Sequence, residues 1–336
     1  MSSAHEALQL VDRYGRVARD LRVSLTDKCN LRCGYCMPAE GLDWIPNPDL
    51  LTDDEVIRLV RIGVSTLGIN AIRLTGGEPL LRRGLPSLVR RMISIPGSPE
   101  LSLTTNGIGL DRLAQPLAEA GLSRINVSVD TLQADRFLEL AKRDRLADVL
   151  DGLAAASAAG LAPIKVNAVL MRGVNEDEAV DLLRFCGTHG YQLRFIEQMP
   201  LDPMHGWSRD RMVTADEIQQ QLERAVTLTA ADTNRGSAPA ELFRVDDGPQ
   251  LVGIIASVSR PFCGACDRTR LTADGQIRNC LFAREESDLR SLLRNGANDD
   301  QIARAWVRAM STKAPGHGID DPTFLQPARP MSAIGG

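Results

Sequence analysis

Leu21-Arg22-Val23-Ser24-Leu25-Thr26-Asp27-Lys28-Cys29-Asn30-Leu31-Arg32-Cys33-Gly34-Tyr35-Cys36-Met37-Pro38 opens on alternating apolar and polar residues and closes on three cysteines. The alternation predicts a β-strand over 21–26, because successive side chains on a strand point to opposite faces. The cysteines follow as a loop, separated by three residues and then by two. No fourth cysteine or histidine stands nearby. A structural zinc site wants four protein ligands, and a cuboidal iron–sulfur cluster normally takes four thiolates. Three thiolates on a cluster leave one iron open for something that is not protein, which would make the loop a reaction site. Half of a zinc ribbon is the other reading of the same three cysteines.

Outward from this loop, short β-branched runs at 71–75, 101–105, 124–129, 164–169 and 192–197 alternate with amphipathic stretches, the sign of parallel βα units. Thr52-Asp53-Asp54-Glu55 is a capping box opening a helix that should run to Gly68. Six such units are too few for a closed eightfold barrel, so the expected α/β fold is an open, partial TIM-like barrel.

The strands carry an anomaly. Strands buried on both faces should read as continuous apolar runs. Here polar residues recur at every second position: Arg73 and Thr75, Asn126 with Ser128 and Asp130, Lys165 and Asn167. Buried without partners they would be costly, so the barrel interior is expected to hold a polar ligand. In barrels of this kind function sits where strands end. There lie the cysteine loop, Gly76-Gly77-Glu78-Pro79, Thr104-Thr105-Asn106-Gly107, Ser128-Val129-Asp130 and Glu197-Gln198-Met199-Pro200.

A second group, Cys263-Gly264-Ala265-Cys266, is followed after thirteen intervening residues by Cys280. A hairpin turning at Asp274-Gly275 would bring Cys280 back to the other two. Three ligands again suggest a cluster with one open iron, or zinc completed by water. Arg268-Thr269-Arg270 reads either as a solvated basic loop or as a phosphate clamp, since guanidinium forks pair bidentately with phosphate. Strands at 241–245 and 251–257 look antiparallel, and helical patterns follow at 287–295 and 299–312. The fold expected is therefore a partial barrel over 16–212. Over 213–336 it is a C-terminal extension of antiparallel strands and helices carrying an auxiliary cluster.

Composition sets limits. Of 336 residues 43% are apolar and 24% charged, ordinary for a globular protein. A formal charge of −4 argues against a general nucleic-acid binder. Met1-Ser2-Ser3-Ala4-His5-Glu6 shows no apolar leader, and no run is long enough to span a bilayer, so no membrane partner and a cytoplasmic location are expected. Seven cysteines are an odd number, better suited to metal than to disulfides. Cys186, in an apolar run, reads as a buried hydrophobe. The four histidines stand outside any metal-ligand spacing.

With their flanks, these motifs resemble the signature of radical S-adenosylmethionine (SAM) enzymes. More narrowly, Thr26 through Pro38 and the Cys-x2-Cys-x13-Cys set are similar to the GTP 3′,8-cyclase family of molybdenum cofactor biosynthesis. That resemblance runs from Asp20-Leu21-Arg22 to the terminal Gly335-Gly336. It implies a lyase with two 4Fe–4S clusters, one on Cys29, Cys33 and Cys36 and one on Cys263, Cys266 and Cys280. SAM would be met by Tyr35, Gly77, Ser128 and Met199. GTP would be met by Arg22, Arg73, Thr104, Lys165, Arg268, Thr269 and Arg270, and the Gly335-Gly336 tail would enter the active site. The implied product is (8S)-3′,8-cyclo-7,8-dihydroguanosine 5′-triphosphate. The implied partners are an electron donor such as flavodoxin or ferredoxin, and cyclic pyranopterin monophosphate synthase as the next enzyme. Monomer and homodimer both stay open. The rival readings are another radical SAM enzyme with an auxiliary cluster, such as a peptide modifier, and a zinc-ribbon binding module.

Overall fold

The computed structural model describes residues 8–231 and 235–335. The N-terminal residues 1–7 and Gly336 therefore lie outside the described part. The period-two runs form six parallel strands: β1 (Asp20–Ser24), β2 (Ala71–Thr75), β3 (Glu100–Thr105), β4 (Arg124–Ser128), β5 (Ile164–Ala168) and β6 (Gln192–Ile196). Between them stand α1 (Asp53–Ser65), α2 (Leu85–Ile93), α3 (Leu110–Glu119), α4 (Ala134–Ala141), α5 (Leu146–Ala158) and α6 (Ala179–His189). After β6 come α7 (Ala215–Glu223), β7 (Leu228–Ala230), β8 (Glu241–Val245), β9 (Leu251–Ile255), β10 (Arg268–Leu271), β11 (Gln276–Arg278) and β12 (Ser287–Asp288). Helices α8 (Leu289–Arg294), α9 (Asp299–Ser311) and α10 (Met331–Ile334) follow.

Local signals act where the sequence places them. The Thr52 hydroxyl accepts from the Glu55 amide at 3.2 Å and the Glu55 carboxylate from the Thr52 amide at 2.8 Å, closing the capping box of α1. The helix ends at Ser65, short of the expected Gly68, which takes a left-handed φ of 78° in the turn that follows. On β1, Leu21 and Val23 are fully buried in the apolar core, each burial worth roughly 1.5–3 kcal/mol. Arg22, between them, faces the barrel interior.

The sheet is open, in the order β12-β11-β10-β1-β2-β3-β4-β5-β6-β9-β8-β7. The two expected antiparallel pairs are present, β8 with β9 and β10 with β11. Unforeseen is their docking: β9 joins β6 in parallel and β10 joins β1 in parallel. The C-terminal region thus extends the barrel at both edges, and the sheet runs unbroken across residue 212. Arg268-Thr269-Arg270 is a strand in that sheet, not a solvated loop. Trp306 of α9 is fully buried and donates from Nε1 to the Thr269 hydroxyl at 3.1 Å, locking the helix over the outer face of β10.

Candidate active site

Main-chain bonds hold the cysteine loop to its neighbours. Gly77 N donates to Thr26 O at 2.6 Å and Glu78 N to Lys28 O at 2.7 Å, while Arg32 N donates to Ala141 O at 2.9 Å. A Cβ on Gly77 would run into the carbonyls of Asp27 and Lys28, and one on Gly76 into that of Thr26. Glycine is thus needed first for close approach to the root of the loop. Buried Glu78 accepts from the Thr105 hydroxyl (2.6 Å), Asn106 N (2.7 Å) and Leu80 N (2.9 Å), tying the end of β3 to the same rim. Burial pushes the Glu78 carboxyl up to about 7 despite those donors. Asn106 Nδ2 in turn donates to Asn30 at 2.7 Å and reaches Cys29 Sγ at 3.8 Å. The Tyr35 hydroxyl donates to Asp130 at 2.7 Å, whose other oxygen accepts Val169 N at 2.9 Å.

The β10–β11 hairpin turns through Gly275, at a φ of 81°, and returns Cys280 toward Cys263 and Cys266. All six cysteines of the two groups line one cavity of about 350 Å³. All are free thiols. Burial and the neighbouring Cys29 push the Cys36 thiol up to about 12, so a metal would have to displace its proton. Burial would also raise Cys266, but Arg268 and Lys313 beside it outweigh that and draw it down to about 7. Among the described residues no three Cys, His, Asp or Glu side chains are grouped as ligands of a single metal ion. A cuboidal cluster, whose thiolates bind different irons, is the group these spaced triads fit.

Tyr35, Gly77, Ser128 and Met199 line the cavity, as do Arg22, Arg73, Thr104, Arg268 and Arg270. Arg194, which sequence reasoning missed, lines it too. It shares the every-second-residue signal, standing two positions after Gln192 on β6. Asn167, noted on its strand but given no role, also faces the cavity with a buried Oδ1 that meets no donor among the described residues. Five arginines therefore face two lining carboxylates, Asp130 and Glu197. Both carboxylates are already engaged, Glu197 by the amides of Ala215, Val258 and Ser259. Arg22, Arg194, Arg268 and Arg270 each bury an Nε that meets no acceptor among the described residues. Buried donors are normally paired, so the cavity is built for an anion.

Two expected positions lie elsewhere. Lys165 is not on the cavity wall; it stands on β5 in register with Asn126 and Gln192. Thr269 points the other way from Arg268 and Arg270, toward Trp306, as a strand requires. The tail does reach the cavity: Met331 and Ser332 line it, and a Cβ on buried Gly335 would press on Ser24 and Thr75.

The Radical SAM superfamily pattern matches residues 23–186 and that of Molybdenum Cofactor Synthesis C residues 191–319. A GTP 3′,8-cyclase of Streptomyces coelicolor is 62% identical over 336 residues, covering 100% of this chain and 98% of the relative. One of Mycolicibacterium smegmatis is 60% identical over 331 residues, covering 97% and 92%. Among solved structures, Streptococcus suis SuiB bound to precursor peptide SuiA superimposes with a TM-score of 0.61 at 13% identity, covering 92% of this chain and 68% of that one. That likeness speaks for the fold alone, an open partial barrel. The full-length similarity speaks for more, and on it this chain belongs to the GTP 3′,8-cyclase family.

Proposed function

We propose that this chain is the lyase that converts GTP to (8S)-3′,8-cyclo-7,8-dihydroguanosine 5′-triphosphate, the first step of molybdenum cofactor biosynthesis. It uses SAM and two 4Fe–4S clusters. The observation that carries the reading is one cavity walled by two cysteine triads and by arginines with unanswered donors. Cys29, Cys33 and Cys36 hold the N-terminal cluster, and Cys263, Cys266 and Cys280 the auxiliary one. With SAM bound, the N-terminal site supplies radical chemistry, the hydrogen abstraction at the ribose that lets C3′ join guanine C8.

The chain's own residues position the reactants and exclude water. Tyr35, Gly77, Ser128 and Met199 seat SAM. Arg22, Arg73, Arg268 and Arg270 offset the triphosphate charge with Thr104, and Lys165 adds to their field from deeper in the barrel. Thr269 contributes through its main chain, its hydroxyl being held by Trp306. Gly335, lying against Ser24 and Thr75, brings the tail to the reacting centre, and Gly336, outside the described residues, is assigned a catalytic role with it. The chain divides into a radical SAM partial barrel, 16–212, and an auxiliary-cluster region with the Gly-Gly tail, 213–336, and both contribute residues to the triphosphate. Electrons come from a flavodoxin- or ferredoxin-like donor in the cytoplasm, and the product passes to cyclic pyranopterin monophosphate synthase. Among the described residues no helix is long and apolar enough to cross a membrane.

The test is anaerobic reconstitution followed by turnover. About eight irons per chain are expected, with SAM cleavage stimulated by GTP and the cyclised nucleotide as product. Stoichiometric zinc in protein purified without oxygen would defeat the reading.

A further inference from the structure

Behind the auxiliary cysteines lies a lysine for which the proposed reaction has no role. Lys313, just past α9, is 3% exposed. Its Nζ donates to Arg268 O at 2.9 Å and Cys266 O at 3.2 Å, and to Cys266 Sγ at 3.3 Å. No ion pair among the described residues involves it. A buried ammonium is costly unless a negative charge answers it. Here the nearest group able to carry one is the Cys266 sulfur.

The arrangement is braced. Arg16, held by Asp12 at 2.5 Å, donates to Cys263 O (2.7 Å), Ala314 O (2.6 Å) and Pro315 O (2.9 Å). One guanidinium therefore staples the cysteine turn to the segment that carries Lys313. The sulfur also takes Arg268 Nη2 at 3.3 Å. Cys29 of the N-terminal triad takes only neutral donors among the described residues, Leu31 N at 3.5 Å and Asn106 Nδ2 at 3.8 Å. Cys266 thus carries two cations hydrogen-bonded to its sulfur, whereas at Cys29 the neighbouring cation, Arg32, donates to the main-chain carbonyl at 2.8 Å instead. Lys313 is absent from the cavity wall, so it reaches the sulfur from the side away from substrate.

Donors and positive charge at a cluster's sulfurs favour its reduced, more negative state. Resting on the two-cluster reading above, we propose that Lys313 is a positioning residue of the auxiliary site. Its ammonium, fixed on Cys266 Sγ, raises the reduction potential of the cluster held by Cys263, Cys266 and Cys280.

The test compares Lys313→Met, which keeps the stem and removes the charge, with Lys313→Arg, which keeps the charge. Each holoenzyme is prepared anaerobically, its iron counted, and both clusters followed by electron paramagnetic resonance in a mediated potentiometric titration without GTP. The Met variant should keep wild-type iron. Poised at the wild-type auxiliary midpoint, its reduced-to-oxidised ratio should fall about tenfold, equal to about 59 mV for a one-electron couple. The N-terminal cluster should not move, and Lys313→Arg should recover most of the shift. An unmoved auxiliary midpoint overturns the proposal. So does an equal shift at both clusters, or loss of half the iron, which would make Lys313 an assembly residue. Zinc or a single cluster in the wild-type protein would instead defeat the functional reading, before any variant is compared.

Discussion

Arg270 is 5% exposed, lies beside Arg22 and Arg268, and buries an Nε with no acceptor among the described residues. Like charges gathered out of water repel, and their clustering makes sense once a polyanion sits among them. Arg268→Ala and Arg270→Ala should each weaken GTP binding by about 1.5–3 kcal/mol, the cost of a charge-assisted contact, and leave SAM binding nearly unchanged. GDP and GMP should bind progressively less well than GTP in equilibrium titrations. Equal affinity for GTP and guanosine would remove these arginines from the site. Lys165 allows a pH test. Burial, with Arg194, Arg124 and Arg73 nearby, lowers it to about 7. A bound triphosphate would raise that value, so above about pH 7 binding must take up a proton. GTP affinity should therefore be flat below about pH 7 and decline above it, by at most tenfold per unit. Calorimetry in buffers of different ionisation enthalpy would read the proton, and Lys165→Arg should abolish the dependence. An unchanged affinity up to about pH 8.5 would place Lys165 outside the phosphate field.

At the scale of elements, the strand–loop junctions of β1 and β2 behave as one unit. Gly76-Gly77 reads in sequence as a turn or a ligand approach. In the structure the space a Cβ would need is taken by the backbone of Thr26, Asp27 and Lys28. Backbone cannot rotate aside as a side chain can, so Gly77→Ala must displace the root of the cysteine loop. A cost of about 1–3 kcal/mol is expected, typical of overpacking. Iron should be lost from the N-terminal site before the auxiliary one. Thermal unfolding and iron content of the purified variant would measure both, and wild-type values of each would show that the loop tolerates the shift. β10 teaches a related lesson. Its first three residues alternate faces, so Arg268 and Arg270 serve the cavity while Thr269 anchors α9 through Trp306.

At the scale of the whole molecule, the C-terminal region closes on the parallel barrel. The C-terminal strands lengthen both edges of the sheet, and the tail returns to the ends of β1 and β2, where Gly335 lies against Ser24 and Thr75. Two glycines can lie flat beside a cofactor and offer amides in a dry cavity. A chain ending at Ile334 should keep both clusters, SAM binding and most GTP affinity. Its yield of cyclised nucleotide should collapse in anaerobic turnover. Wild-type yield from that chain would leave the tail as a loose end.

What the chain spells out locally was legible before any coordinates. The six strand runs, the capping box of α1, the Asp274-Gly275 turn and the spacings of both cysteine triads rest on residues near one another in sequence, where period and turn chemistry act. The alternating polar residues of the strands also announced a polar-lined barrel interior, though Arg194 went unremarked within it. Long-range pairing was another matter. That β9 and β10 would cap opposite edges, that Lys313 would reach Cys266 across 47 residues, and that Arg16 would cross 247 to Cys263 leave no periodic trace. Such contacts depend on which surfaces meet once the core has closed. Lys165 and Thr269 show the same limit in small: the family resemblance placed both at GTP, but the packed sheet leaves Lys165 off the cavity wall and turns Thr269 toward Trp306.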